Sequence, residues 1–483
     1  MSTTLICVAF ASFWALWGIF RRSRVSLPHP PGPKGWPILG NLFDVPKEEP
    51  WAGYKDLSKK YGKPRACDML YLNVLGQPML ILSSAKRSRD LFELRSTNYS
   101  GRPRLPMIDE LGYADGGWAI MDYGPKWRKN RRTFHQYFNA SAIPQYRPII
   151  DHQLHRFLQW MLESPKDFEQ HCMTLFGATI THVAYGLKDL THEHPFLLEL
   201  EEVMDAFKVA AVPGTFLVDV LPVLKYVPSW FPGAGFKRWA NGYREKEIHA
   251  RHGFLPVFPR PSSGEAEPSV ASLSIAKFST EDEAVREEQE ELARNTTWMA
   301  FIGEPLAFIL AMVKYPEIQV KAQEELDTVV GHGRLPGHED KDKLIYLQAL
   351  MMEMLRWYSV TPFALPHTST EDDVYEGYLI PKGTVIIPNV WAILHDEDVY
   401  ESPGELIPER FLTPEGGINH ELPDPRTVAF GFGRRICPGR YLSADAMYMM
   451  MATTLALFDI LPPKDDFGNP IEVNPKLKLG NPS

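Results

Sequence analysis

The sequence predicts a mainly α-helical body with a smaller β-rich portion, tethered by one amino-terminal membrane helix. Three observations carry this. Residues 5–20 contain no charge and are followed at once by Arg21, Arg22 and Arg24. Two stretches, 71–82 and 373–387, have strand character, and the chain between them reads as mainly helical up to about Trp357. No clear interdomain linker interrupts the 483 residues, of which 44% are hydrophobic, so one large body accommodates them.

Taken in order, residues 1–24 form the expected anchor and its basic flank. A secretory signal would carry its positive residues before the apolar run, and here the order is reversed. The run is short for a span of about 20 residues, which suits a thin bilayer, and arginines on the body side predict a cytoplasmic body. The alternative is an ordinary buried helix. Residues 25–37 hold Pro28-His29-Pro30-Pro31-Gly32-Pro33, which cannot be helical and reads as a stiff hinge. Residues 38–483 are the body. Its first strand run breaks at Gly76-Gln77 as a hairpin, and its second has Pro381-Lys382-Gly383 as a turn. Residues 346–357 have clear helical periodicity, with Glu353 and Arg356 three apart on one face, a spacing that ordinarily gives a solvated surface pair.

Net charge of −9 and the lack of a basic block argue against a nucleic-acid partner. The four cysteines, Cys7, Cys67, Cys172 and Cys437, make a disulfide framework improbable and place the body in a reducing compartment. Cys437 stands apart from the others. It lies in Phe430-Gly431-Phe432-Gly433-Arg434-Arg435-Ile436-Cys437-Pro438-Gly439. Glycines permit close backbone approach, an arginine offers a counter-charge, and a thiolate is one of the few axial ligands that proteins give to haem iron. Most free cysteines are small buried hydrophobes, but this pattern argues for a ligand.

These residues resemble the cytochrome P-450 haem-thiolate monooxygenases, whose signature is Phe, two residues, Gly, one, Arg, one, Cys, one, Gly. Phe430, Gly433, Arg435, Cys437 and Gly439 occupy those five positions without a gap. The resemblance extends from about Pro28 to about Pro462 and is to the membrane-anchored, fungal-type members. It implies haem b (iron protoporphyrin IX) as cofactor, Cys437 as proximal iron ligand, Arg435 on a haem propionate and Phe430 packed against the ligand loop. Trp127 and Arg131, four apart on one helical face, match the family's propionate-holding pair. His367 stands where the family often places another propionate partner. Glu353, Arg356 and Arg410 match a buried ion triad that fixes the segment before the ligand loop.

The resemblance further implies a monooxygenase that inserts one oxygen atom from O2 into a lipophilic small molecule. NADPH-derived electrons would come from a flavoprotein reductase, and the protein would sit in the endoplasmic reticulum membrane facing the cytoplasm. Lys126, Lys129, Arg434 and Arg440 would form a basic docking face, or else are scattered solvated charges. The apolar run 218–231, with Trp230 and Phe231, would dip into the bilayer, or else is core.

The pattern fails on the distal side. The family's long helix there carries a small residue and Gly, then an acid and Thr, whereas Trp298-Met299-Ala300-Phe301-Ile302-Gly303-Glu304-Pro305 has no acid–threonine pair. Asn295-Thr296-Thr297 mimics the pair at an unfavourable spacing. Aligning Gly303 with the family glycine leaves about two helical turns too few before Tyr315-Pro316. We favour the second register, with Glu304 as candidate distal acid and Pro305 interrupting the helix. Residues 254–263 and 303–305 and a short carboxyl terminus are therefore expected irregularities, as from a mis-spliced message. Two alternative functions follow: a haem-binding relative unable to activate oxygen, and a haem-thiolate isomerase or dehydratase.

Overall fold

The computed structural model describes residues 27–62, 68–211, 215–252, 268–279, 281–298, 306–465, 467–471 and 473. The expected anchor, Glu304 and the 254–263 stretch lie outside them. Among the described residues, no helix is long and apolar enough to cross a membrane.

Strands β1 (Met69–Val74) and β2 (Gln77–Leu82) pair antiparallel across Leu75 and Gly76. Both turn residues have positive φ, the conformation that a two-residue hairpin with right-handed strand twist requires. The proline-rich segment lies along this hairpin from its first described residues. The Tyr71 N–H donates to Pro31 O at 2.7 Å, the Leu379 N–H donates to Pro28 O at 2.9 Å, and His29 stacks on Tyr71.

Helices then dominate, as the periodicity predicts. The principal ones are α1 (Pro50–Tyr61), α2 (Pro106–Glu110), α3 (Pro125–Phe138), α4 (Arg147–Glu163), α5 (Phe168–Tyr185) and α6 (Pro195–Ala211). They continue as α7 (Leu217–Val220), α8 (Gly235–His252), α9 (Glu283–Trp298), α10 (Leu306–Lys314), α11 (Pro316–Val329) and α12 (Ile345–Trp357). Helix α13 (Arg440–Leu457) follows the cysteine loop directly. The main core joins Phe134 and Phe138 of α3, Phe157 of α4, Phe308 of α10 and Met449 to Met451 of α13. Burial of these side chains contributes about 1.5–3 kcal/mol each, and it brings α13 and α3 into one packed unit.

The second strand region is divided differently from the expectation. Strands β4 (Asp373–Tyr375) and β5 (Tyr378–Ile380) make a separate hairpin turning at Glu376 and Gly377. Pro381-Lys382-Gly383 does turn, with the Thr384 N–H donating to Pro381 O at 3.1 Å. It leads into β6 (Val385–Pro388), which pairs parallel with β2 while β3 (His367–Thr368) closes antiparallel on β6. The sheet order is β1-β2-β6-β3. Parallel pairing joins residues some three hundred positions apart, for which local sequence carries no signal. After α13, residues 463–465 pair back against 469–471 through a Lys464–Pro470 bridge.

Candidate functional site

The cysteine loop is built by two close backbone contacts. Gly433 has φ +54°, and a Cβ there would lie 2.1 Å from Phe92 O, so the loop crosses Phe92 where only glycine fits. The Cys437 N–H then donates to Phe430 O at 2.7 Å, closing the loop. Phe430 contributes this carbonyl, while Phe432 is the aromatic that is buried, 5.8 Å from the Phe92 ring. Burial pushes the Cys437 thiol above its ordinary pKa. The N–H groups of Gly439 and Arg440, at the start of α13, and the Arg131 and Arg440 guanidiniums pull it back towards thiolate. Gly439 lies beside the sulfur, its Cβ position 4.0 Å from Sγ.

Around this loop, among the described residues, Arg102, Arg131 and Arg435 have no carboxylate at ion-pair distance, although Asp122 acts on Arg435 from farther away. Arg435 donates to Ser100 O at 3.0 Å and Met121 O at 2.8 Å and stacks on Trp127 at 4.4 Å, leaving Nη1 buried without a partner. Trp127 Nε1 is also buried without a partner. Burial lowers Arg131 and Arg435 each to about 10, with Arg440 and Arg131 respectively adding repulsion and Cys437 and Asp122 respectively opposing the shift. His367 donates from Nδ1 to Tyr99 O at 2.7 Å, and burial beside Arg102 and Arg435 pushes its pKa well below the ordinary value. An anion placed near that ring would draw a proton back onto it.

Arg102 escapes the sequence reading. It donates to Leu365 O at 2.6 Å, Pro366 O at 2.8 Å and Ala119 O at 3.0 Å, and burial facing Arg435 pushes it well below its ordinary pKa. Among the described residues, neither Arg102 nor Arg131 has a carboxylate at ion-pair distance. Burying arginines against one another is unfavourable unless something negative completes the site. Arg102 and Cys437 are both half-buried. A planar cofactor with an acidic edge and a metal able to take a thiolate fits this donor set. The only signal in the sequence for Arg102 is its place in Ser100-Gly101-Arg102-Pro103, which says nothing of burial.

The ion triad is assembled as expected. Glu353 and Arg356 are both 0% exposed and form a bidentate pair at 2.7 and 2.7 Å, so the surface-pair alternative is excluded. Arg410 Nε and the Ile407 N–H both donate to Glu353 Oε1, at 3.2 and 2.8 Å. Arg356 also donates to the carbonyls of Leu394, Pro403 and Glu405, tying down the chain that leads to the cysteine loop.

Two expected groupings change. Lys126 pairs with Glu291 at 2.7 Å and Lys129 with Glu288, both of α9, so these lysines bind the distal helix instead of joining Arg434. Arg440 donates to Cys437 O at 3.0 Å and stacks on Tyr441, so it serves the loop itself. Exposed Arg128 and Arg434 both lie over Tyr123, with exposed Arg132 one turn along α3.

On the distal side, Asn295 bonds Asn130 of α3 at 3.1 Å, and Thr297 Oγ1 donates back to Ala293 O at 3.1 Å. Thr297 also lines a small cavity with Ile180, Thr181, Tyr185 and Leu200. Thr296, between Asn295 and Thr297, is fully buried, and its Oγ1 has no hydrogen-bond partner among the described residues. An apolar cluster, referred to below as the roof, joins Met107, Ile108, Val203, Val218, Ala240 and Trp298. Among the described side chains of the run 218–231, Val218 alone is fully buried in this cluster and Leu224 packs against it, while Tyr226 and Trp230 are 76% and 77% exposed. The run is therefore divided, with Val218 in the core and Tyr226, Trp230 and Phe231 at the surface.

Comparison with known proteins agrees with the geometry. The family model for cytochrome P450 matches residues 30–248 and 305–483. The chain is 41% identical to cytochrome P450 monooxygenase COX2 of Coprinopsis cinerea, over 98% of this chain and 90% of that one. It is 40% identical to cytochrome P450 monooxygenase COX1 of the same fungus, over 98% and 94%. It is 37% identical to tryptamine 4-monooxygenase of Psilocybe cyanescens, over 95% and 91%.

Proposed function

The chain belongs to the cytochrome P450 family, whose general cofactor is haem b, and on that premise we propose that it inserts one oxygen atom of O2 into a lipophilic small molecule, the other leaving as water, with two electrons from NADPH passed on by a flavoprotein reductase. The observation that carries this reading is the group of buried, anion-seeking donors beside Cys437. When bound, haem b supplies the redox chemistry that activates O2. Cys437 would hold the iron, and Trp127, Arg131, Arg435, Arg102 and His367 would hold the acidic edge. The roof would keep water from the reacting centre. Glu304 remains the candidate distal acid.

Oxygen-18 labelling with NADPH, a fungal P450 reductase and a substrate panel that includes tryptamine tests the activity. One labelled atom per product is expected. NADPH oxidation that forms only peroxide or water would contradict it and favour a second reading, which also has support: the family match is interrupted between 248 and 305, where the acid–threonine pair belongs. In that reading the protein binds haem without activating O2, or rearranges or dehydrates a peroxide. Turnover of a lipid hydroperoxide without reductase would identify the latter.

Arg102→Ala is expected to release haem to apomyoglobin at least about tenfold faster, since a charge-assisted contact is worth about 1.5–3 kcal/mol. An unchanged release rate would remove Arg102 from the cofactor set. For the reductase, Arg128, Arg132 and Arg434 replace the lysines as the proposed docking cations.

We place the protein in the endoplasmic reticulum membrane, its body facing the cytoplasm. The charge-free run 5–20 with its flanking arginines supports this, as do the outward-facing Tyr226 and Trp230. Helix α7 is tied to α2 by Asp219 Oδ1, which accepts the Met107 N–H at 2.9 Å. Burial raises the Asp219 pKa to about 6, opposed by that N–H and aided by Asp109. A carboxyl whose pKa is raised on packing contributes stability that is present at low pH and lost as pH rises through the raised value. Hydrogen exchange at residues 215–226, corrected for intrinsic rates, is therefore expected to increase between about pH 4 and pH 7, and Asp219→Asn to flatten the profile. Identical profiles for the two proteins would contradict this.

A further inference from the structure

We propose that the buried Glu247–Arg251 pair of α8 is a positioning site that sets the shape of the substrate-side roof, and through it the size of molecule admitted to the iron. This rests on the haem-thiolate reading. Neither residue is absorbed by the cofactor site, yet they are only 1% and 8% exposed, with Arg251 Nε 3.0 Å from Glu247 Oε1. A buried ion pair adds little net stability over an apolar pair of similar volume, so its use here asks for a geometric reason.

The glycines of 112–118 supply one. Gly112 has φ +98°, and a Cβ there would lie 2.9 Å from Glu247 Oε2. A Cβ on Gly116 would lie 2.5 Å from Arg251 Nη1, 2.7 Å from Arg251 Cδ and 2.9 Å from Asn295 Oδ1. The backbone of one turn is thus pressed at both ends against the two charged side chains, with only glycine at each contact. Between them Tyr113 donates to Val203 O of α6 at 2.9 Å and packs 4.9 Å from the Trp298 ring. Beyond them Trp118 Nε1 donates to Asn295 O at 3.3 Å, and Asn295 bonds Asn130, the neighbour of Arg131. The pair therefore fixes the turn, and the turn fixes two aromatic side chains against Asn295 and Trp298 in the last turn of α9. Moving the turn by the width of a methyl would shift Tyr113 and Trp118 together, because close-packed segments move as units.

The test uses the full-length, haem-loaded protein and two uncharged iron ligands of different size, carbon monoxide and tert-butyl isocyanide, with hydrogen exchange at residues 112–118 as a second readout. Gly116→Ala should change tert-butyl isocyanide affinity by at least about fivefold, leave carbon monoxide affinity within about twofold, and raise exchange in the turn. In a Glu247→Gln/Arg251→Ala background, most of what the new methyl would strike is gone, and Gly116→Ala should then change either readout by less than about twofold. An equal effect of Gly116→Ala in both backgrounds, or none in either, overturns the proposal. A wild-type protein without haem would defeat the haem-thiolate reading, while the exchange data would still show whether the pair positions the turn.

Discussion

Glu353→Ala is expected to cost about 3–5 kcal/mol of folding stability and to yield protein largely free of haem. The carboxylate neutralises a fully buried Arg356, accepts from Arg410 and holds the Ile407 N–H. Its removal leaves a charge that water cannot reach, and that penalty exceeds the loss of any one hydrogen bond. Glu397→Ala provides the contrast. Glu397 also meets two cations, Lys55 and Lys59, but its side chain is 55% exposed, so a loss below about 1 kcal/mol is expected. Urea denaturation of both variants checks the pair of values. Equal losses would mean that burial does not decide the strength of these ion pairs.

Gly433→Ala is expected to reduce haem content at least about tenfold, because the left-handed backbone and a Cβ 2.1 Å from Phe92 O together force the loop off its seat by more than a rotamer change can absorb. Phe432 and Arg435 would move with it, taking the Nη1 donor away from the acidic edge. Gly439→Ala has ordinary φ and a Cβ position 4.0 Å from Cys437 Sγ. It should keep haem and alter the absorption spectrum instead. Pyridine haemochromogen assay of the two variants separates the outcomes, and full haem content in Gly433→Ala would contradict the steric argument.

The parts of this protein legible in its sequence are those whose chemistry is local. The ligand loop is ten consecutive residues, and a hairpin follows from a glycine between two apolar runs, although its turn is Leu75-Gly76, one residue before the expected Gly76-Gln77. The Glu353–Arg356 spacing reads as a surface pair, and only the resemblance to a known family made it buried. Arg102 was illegible because its burial depends on carbonyls at Leu365 and Pro366, more than two hundred and sixty residues away. The glutamate partners of Lys126 and Lys129 were illegible for the same reason, since they sit on another helix. The division of 373–387 between two sheets is likewise a long-range event that residue preference does not encode.

The most direct measurement is the absorption spectrum of the dithionite-reduced, carbon monoxide-treated protein, beside Cys437→Ala. A far red-shifted Soret band that the substitution abolishes is the predicted result. A folded wild-type protein with no haem band, or a band that survives loss of Cys437, would contradict the assignment of this loop as the haem-thiolate site.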